Sequence, residues 1–189
     1  DRQVALFSAT MPAPIRKVAS RYLNNPVEVQ VEDRALSVDH INQHWLLAPQ
    51  SHKLEALCRI LEGTSREATL VFAKTRAACM DVADAMSRKG YSCDALHGDL
   101  GQGARERVLR RFRSGNLKLL IATDVAARGL DVNHLSHVIN MDMPGSKESY
   151  VHRIGRTGRA GREGTAINLV TPSQQRFLRH LEQSLGIQM

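Results

Sequence analysis

Short apolar runs alternate with amphipathic helical periods along most of the chain. Residues 68–72 (ATLVF) predict a buried strand, and the apolar positions that follow have the i, i+3, i+4, i+7 spacing of a helix. Further strand patterns occur at 41–47, 92–96, 117–122, 137–141 and 165–170. Helical patterns lie between these runs at 54–61, 79–86, 101–114, 124–128, 147–153 and 177–185. Repeated β-α units with short connections predict an α/β fold in which helices cover both faces of a mostly parallel sheet.

Residues 1–32 contain a smaller pattern of the same kind. A strand, a helix and a second strand are predicted there at 4–8, 15–22 and 27–31. Residues 33–39 are polar and predict a linker, and residues 40–189 hold the main pattern. The chain runs into an apolar segment from its first residues, so we expect 1–32 to be the tail of one domain and 40–189 a complete second domain.

The composition narrows the class of partner. The formal net charge is +7 and the isoelectric point is about 9.8, which favours a polyanion such as nucleic acid. Aromatic residues make up only 4% of the chain, so few rings are available to stack on bases. We therefore expect a nucleic acid to be held mainly by its backbone.

The cysteines and histidines do not form a metal-binding pattern. Cys58, Cys79 and Cys93 are an odd number without a C-x-x-C pair, and they predict reduced core thiols in a cytoplasmic protein. His134 and His137 are three residues apart, but no cluster of Cys, Asp or Glu accompanies them. We expect no metal ion to be held by this chain alone. No apolar stretch long enough to cross a bilayer and no signal peptide pattern is visible.

Residues 152–162 (HRIGRTGRAGR) place an arginine at every third position with glycines between the arginines. Crowded guanidinium groups repel one another unless an anion lies among them, and their planar shape matches phosphate oxygens. The glycines would allow the backbone to approach a ligand closely. This arginine run predicts contact with a polyphosphate, and the alternative is a solvated basic loop.

Three further polar segments follow predicted strands, at 74–76, 97–99 and 123–131. In an open α/β sheet, ligands collect at the carboxyl ends of the strands, where loops and helix amino termini meet. We therefore expect these segments and the arginine run to lie together at that edge of the sheet.

The order and spacing of four segments carry a family resemblance. The segments are VFAKT at 71–75, LHGD at 96–99 followed by Gln102 and Arg105, ATDVAARGLD at 122–131, and the arginine run. Together they resemble motif IV, the Q-x-x-R region, motif V and motif VI of the C-terminal RecA-like lobe of DEAD-box ATP-dependent RNA helicases. The sequence Ser-Ala-Thr at 8–10 resembles motif III, which in that family lies in the N-terminal lobe. The resemblance implies a RecA-like three-layer sandwich for 40–189.

The resemblance also implies roles for individual residues. Arg156 and Arg159 resemble the family's two arginine fingers, and Gly129 and Asp131 resemble residues that contact ATP, Asp131 through the ribose hydroxyls. Coupling between the two lobes is implied for Ser8, Thr10, Arg128 and His152. RNA contact, mostly to phosphate and sugar, is implied for Thr75, Gly98, Asp99, Gln102, Arg105 and Thr123. In the alternative interpretation, Asp131 caps a turn and Arg128 pairs with it.

Asp99 and the arginines of the helix that follows it lead to two further predictions. Asp99 cannot itself attract a phosphate, so we expect it to orient a neighbouring arginine or to accept a hydrogen bond from a sugar hydroxyl. On the helix that follows, we expect Arg105, one turn from the helix start, to contact RNA. The other arginines of that helix are expected to form a solvated face, opposite its apolar side: Arg107, Arg110, Arg111 and Arg113.

Two nucleotide-binding motifs are missing from the chain. It has no G-x-x-x-x-G-K-[ST] loop and no Asp-Glu-Ala-Asp box. We therefore expect ATP with Mg²⁺ as cofactor, with the Mg²⁺ held by an N-terminal RecA-like lobe, and no hydrolysis by this piece alone. The expected partners are RNA, as a single strand or short duplex, and that lobe. Two alternatives stay open: a stand-alone module that binds the RNA backbone, and a lobe of a DNA translocase.

Overall fold

The computed structural model describes most of the chain. The described residues are 3–8, 11, 13–29, 40–64, 68–130, 132, 134–159 and 161–189. Contacts between Cα atoms divide the chain into two compact units, Asp1–Arg34 and Ala35–Met189. The predicted linker, 33–39, lies outside the described residues, so its bounds stay a prediction.

The first unit contains one helix, α1 (Ala13–Tyr22), within its described residues, as the sequence predicts. The strands predicted in this unit are wrong over 4–8 and 27–29, which have no strand structure. A β-strand is defined by hydrogen bonds to a neighbouring strand. The described part of this unit offers no such neighbour, so apolar alternation alone does not produce a strand there.

The second unit is built on a parallel sheet. Its elements in chain order are β1 (Ile41–Leu47), α2 (Lys53–Gly63), β2 (Ala68–Phe72), α3 (Arg76–Arg88), β3 (Cys93–Leu96), α4 (Gln102–Arg113), β4 (Leu119–Ala122), α5 (Asp124–Ala127), β5 (Leu135–Asn140), α6 (Lys147–Ile154), β6 (Gly164–Val170) and α7 (Gln175–Leu185). The strand order is β1-β6-β5-β2-β4-β3, and every described strand pair is parallel. The predicted α/β architecture is confirmed.

Helices cover both faces of this sheet because the strands are apolar on both faces. On one face, Leu70 of β2 packs in the same apolar cluster as Phe112 of α4 and residues of α5. On the opposite face, Val71 packs with Leu57 of α2 and Cys79 of α3. A third cluster joins α6 and α7 to β1 and β6. The three-layer arrangement predicted from the sequence is therefore present.

The cysteines take the places that the apolar pattern predicts. Cys58 and Cys79 are buried, Cys93 is half-buried, and all three are free thiols. Burial raises the pKa of the Cys79 thiol to about 11. Within the described ranges, no helix is long and apolar enough to cross a membrane.

Polar segments follow three neighbouring strands at one edge of the sheet. Strands β2, β4 and β3 are adjacent and parallel, so their carboxyl ends meet. Each is followed by a short polar turn and then by a helix. Thr75 caps α3 by accepting a hydrogen bond from the Ala78 amide at 3.1 Å, and Thr123 occupies the N-cap position of α5. This edge is the frame of the candidate site.

Candidate functional site

The first arginine of the arginine run, Arg153, is buried and paired within the protein. Its Nε and Nη2 donate to the two carboxylate oxygens of Asp124 at 2.6 and 2.8 Å. Its Nη1 donates to the Asp142 carbonyl at 2.6 Å and to Asn140 Oδ1 at 3.0 Å, and its guanidinium lies 5.0 Å from the centre of the Phe72 ring. The expectation that the whole run contacts polyphosphate is therefore wrong for Arg153, because its anion is Asp124.

A buried lysine, which the sequence interpretation missed, belongs to the same polar network. Lys53 Nζ donates to the Met141 carbonyl at 2.6 Å and lies 3.8 Å from Asp142 Oδ1. Burial lowers the pKa of Lys53, and the Asp142 carboxylate partly offsets this effect. Asp142 Oδ2 also accepts a hydrogen bond from the Lys74 amide at 3.0 Å. The signal in the sequence was that Lys53 precedes Leu57 by four residues and so lies on the apolar side of α2.

The two predicted arginine fingers, Arg156 and Arg159, are half-buried and held by backbone carbonyls. Arg156 Nε donates to the His152 carbonyl at 3.2 Å, and its Nη1 donates to the Leu130 carbonyl at 3.1 Å. Arg159 Nε donates to the Gly155 carbonyl at 2.9 Å. These contacts fix both side chains to the backbone of the second unit, and both stay partly accessible to solvent.

The arginine run does not stay at the carboxyl edge of the sheet. Arg153 lies at that edge, beside the residues that follow β4 and β5. Thr157 Oγ1, by contrast, donates to the Leu135 carbonyl at 2.6 Å, and Leu135 is the first residue of β5. The expectation that four segments share one edge is therefore wrong for this part of the run. The chain after α6 runs back toward the start of β6, as a parallel crossover requires.

Gly158, in the second half of the run, lies in a closely packed position. Gly158 has φ +67°, and a Cβ there would lie 2.8 Å from Ile41 Cγ1. A Cβ on Gly164 would lie 2.5 Å from the Gly158 amide nitrogen. The positive φ and the close approach of the Ile41 side chain and the Gly164 backbone therefore explain the glycine at position 158.

A small pocket brings together several residues to which the family resemblance gives a role. Its volume is about 110 Å³, and its polar lining consists of Asp124, Arg128, Ser149, His152, Arg153 and Arg156. Drug-sized ligands occupy pockets of roughly 300–1,000 Å³. This surface can therefore surround only part of a nucleotide-sized ligand.

The segment after α5 borders this pocket and is open to solvent. Arg128 and Gly129 are exposed, and Gly129 has φ +71°. Among the described residues, no atom beyond the two chain neighbours lies within 4 Å of the place a Cβ would take. A ligand could approach the backbone closely at this point. Asp131, predicted to contact ribose, lies outside the described residues, so that role and its alternative stay predictions.

The residues predicted to contact RNA cluster at the carboxyl edge. Gly98 and Thr75 are exposed, and Asp99 pairs with Arg76, an arginine neighbour of the kind expected for it. Arg105 Nη2 donates to the Ala126 carbonyl at 2.7 Å, which joins α4 to α5.

The other residues with a predicted role are Gln102, Thr123, Ser8 and Thr10. Gln102 Nε2 donates to Glu106 Oε1 at 2.7 Å, and Thr123 is 9% exposed. Ser8 is exposed in the first unit, and Thr10 lies outside the described residues. Across the described ranges, no group of three His, Cys, Asp or Glu side chains is placed to hold a metal ion.

Comparison with known proteins identifies the family. Residues 52–161 match the helicase conserved C-terminal domain. The DEAD-box ATP-dependent RNA helicase CshA of Geobacillus kaustophilus is 45% identical over 97% of this chain, and CshA of Bacillus subtilis is 44% identical over the same share. The chain spans only 39% and 37% of the length of these two relatives.

Solved structures agree with the sequence comparison. S. cerevisiae Dbp5 bound to RNA and ADP BeF3 superposes with a TM-score of 0.83 at 29% identity, covering 97% of this chain and 49% of that chain. A DEAD box protein from Methanococcus jannaschii superposes with a TM-score of 0.73 at 38% identity, covering 96% of this chain and 49% of that chain. These likenesses confirm the predicted resemblance to the C-terminal lobe of DEAD-box helicases. The chain belongs to the helicase conserved C-terminal domain family.

Proposed function

We propose that this chain is the C-terminal RecA-like half of an ATP-dependent RNA helicase. The observation that carries the proposal is the anchoring of Arg156 to the Leu130 carbonyl at 3.1 Å, beside the pocket that Arg128 and His152 line. This contact joins the arginine run to the segment after α5, the two segments in which the family resemblance implies nucleotide contact. Cations held by backbone carbonyls at a partly open surface suit the charge of a triphosphate.

The residues present fit one side of an ATP molecule. ATP would supply the phosphoryl group that is transferred to water. Arg156 and Arg159 would neutralise the charge that spreads over the transferred phosphate, an effect worth roughly a thousandfold or more in rate. The open backbone at Gly129 would allow the nucleotide to approach, and Asp131 would bind its ribose hydroxyls.

A pocket of about 110 Å³ leaves most of the nucleotide to a second surface. We assign that surface, and the ligands of Mg²⁺, to an N-terminal RecA-like lobe. Ser8 and Thr10 belong to the segment that would continue into that lobe, and Arg128 and His152 would couple the lobes. In this proposal the chain alone does not hydrolyse ATP.

RNA would bind along the carboxyl edge through its phosphates and sugars. In the solved structure that superposes on 97% of this chain, Dbp5 is bound to RNA, which supports RNA as the ligand proposed here. Contacts would come from Thr75, Gly98, Asp99, Gln102, Arg105 and Thr123. Asp99 would act through Arg76, with which it pairs. A cytoplasmic location remains a prediction.

The ion pair between the buried Arg153 and the half-exposed Asp124 would provide a physical link between the two proposed binding regions. Asp124 follows the proposed RNA contact Thr123, and Arg153 precedes the finger Arg156 by three residues. A rigid, charge-assisted pair at 2.6 and 2.8 Å would transmit a shift of α5 to α6. Both elements would then move together when the lobes close.

The experiment is an ATPase assay on the complete protein, with RNA or DNA as the stimulating nucleic acid. Arg159→Ala should lower kcat roughly a thousandfold while RNA affinity changes little, because the finger acts on charge that develops in the transition state. Arg179→Ala, an exposed arginine on α7, is the matched control and should leave kcat unchanged. Unchanged turnover in Arg159→Ala would refute the finger role. Equal stimulation by DNA would favour a DNA translocase.

A further inference from the structure

The exposed side of α4 carries an unbalanced positive charge. The helix sequence QGARERVLRRFR contains five arginines and one acidic residue, Glu106. Its apolar side chains, among them Val108 and Phe112, pack into the core. The opposite side of the helix exposes Arg107, Arg110, Arg111 and Arg113. The solvated face expected from the sequence is therefore present, and its charges lie within three helical turns.

Most of this charge has no counterion among the residues that the structure describes. Arg111 Nη1 pairs with Asp94 Oδ2 at 2.6 Å, and Glu106 accepts a hydrogen bond from Gln102. Arg107, Arg110 and Arg113 form no ion pair with any described residue. Like charges three and four residues apart on a helix repel one another by about 0.2–0.5 kcal/mol per pair. An external polyanion would relieve this repulsion.

The helix dipole explains only part of the pattern. Cations in the last turn stabilise a helix by about 0.3–1 kcal/mol, and Arg110, Arg111 and Arg113 lie in the last turn of α4. The effect falls off within one turn, so it does not account for Arg107 in the middle of the helix. One or two cations in the last turn are also enough to produce this stabilisation. The remaining charge is available to a ligand.

The charged side of α4 continues the proposed RNA site. Gln102 and Arg105, both proposed RNA contacts, lie in the first turn of α4, and Arg105 is held by the Ala126 carbonyl at 2.7 Å. A helix of 12 residues is about 18 Å long. A nucleic acid backbone that leaves the carboxyl edge along this helix would meet Arg107 first and Arg113 last.

We propose that the exposed arginines of α4 bind the backbone of RNA that extends beyond the segment held at the carboxyl edge. This inference rests on the proposed function. RNA is favoured over a protein partner because the exposed side of α4 presents arginines without apolar side chains, whereas protein interfaces have an apolar centre. The guanidinium groups would contact phosphates and would not read bases.

The test compares two lengths of oligouridylate, about 6 and about 14 nucleotides, bound to this chain and followed by fluorescence anisotropy. The variant R107Q/R110Q/R113Q leaves the Arg111–Asp94 pair intact. We expect it to bind the short RNA as the unchanged chain does and to lose roughly tenfold affinity for the long RNA. Its log–log salt slope for the long RNA should become shallower by about 2, from three lost phosphate contacts at about 0.7 each.

Two further variants control for charge and folding. R88Q/R176Q/R179Q removes the same charge from exposed positions on α3 and α7 and should bind both RNAs unchanged. R107K/R110K/R113K keeps the charge and should retain most of the affinity for long RNA. Circular dichroism checks that each variant keeps its helices.

Three results would overturn the inference. In the first, R107Q/R110Q/R113Q binds the long RNA as tightly as the unchanged chain does. In the second, the control variant R88Q/R176Q/R179Q loses as much affinity for the long RNA as the α4 variant. In the third, the α4 variant keeps its RNA binding but loses the binding of poly-L-glutamate that the unchanged chain shows. The last result would assign the surface to an acidic polypeptide. If the unchanged chain binds neither RNA, the proposed RNA site at the carboxyl edge itself fails, which distinguishes the two failures.

Discussion

Removing the carboxylate of Asp124, which pairs with a buried arginine, should destabilise the second unit more than removing a carboxylate that pairs with an exposed arginine. The Arg153 side chain is 3% exposed, and that of Asp124 is 46% exposed. Breaking a fully buried ion pair by removing one partner costs about 3–5 kcal/mol, because the other charge remains buried. When Asp124 is replaced by alanine, water can accept some of the hydrogen bonds that the carboxylate accepted, and Arg153 keeps its contacts with Asn140 and Asp142. We therefore expect Asp124→Ala to cost about 2–3 kcal/mol.

Urea unfolding followed by the fluorescence of Trp45 measures this loss, because Trp45 is the one tryptophan of the chain and lies on β1. The matched control is Asp94→Ala, which removes the partner of the more exposed Arg111 and should cost at most about 1 kcal/mol. Replacing both partners in Asp124→Ala/Arg153→Met should recover part of the lost stability, since the buried charge of Arg153 is then removed as well. Equal, small losses for Asp124→Ala and Asp94→Ala would refute the argument.

Two further predictions concern close packing and ionisation. Gly164→Ala should cost more than about 2 kcal/mol by urea unfolding, because its Cβ would lie 2.5 Å from a backbone nitrogen. Gly145→Ala should cost under about 1 kcal/mol, because no described atom beyond its chain neighbours lies within 4 Å of the added Cβ; similar losses would contradict the packing. The pKa of Cys79 is raised from 9.0 to about 11, so the unfolded chain releases this proton first and stability should fall as pH rises from about 9 to 11. Cys79→Ala should weaken that fall by about 1–3 kcal/mol, and an unchanged slope would contradict the assignment.

The local pattern of apolar residues was sufficient to predict the strands of the second unit but not those of the first unit. The predicted helices and strands of 40–189 match the structure because each apolar run has a partner strand in the same sheet. The run at 4–8 has the same local character but no partner strand in the described part of its unit. Hydrogen bonding between strands is a property of pairs of segments, so a single segment could not reveal the difference.

The candidate site shows the same division between local and tertiary information. The arginine spacing of the run identified four cations, but it could not show that Arg153 would meet Asp124, which lies 29 residues earlier. The sequence places Lys53 on the apolar side of α2 but does not show that it is buried, because a lysine at such a position usually extends its amino group into solvent. The sequence predicts close ligand approach at Gly158 and gives no sign of Ile41, because residues far apart in the chain leave no local pattern when they pack together.

The sequence by itself determined the alternation of strands and helices, the positive charge, and the motifs that identify the family, because periodicity, composition and short spacings are local. The tertiary structure alone decided which charges are neutralised inside the protein and which remain at the surface. Arg153 and Arg107 are both arginines beside apolar residues, yet one is satisfied by a carboxylate from another element and the other faces solvent. That outcome depends on which strands lie next to each other, and the strand order is set only when the whole sheet forms.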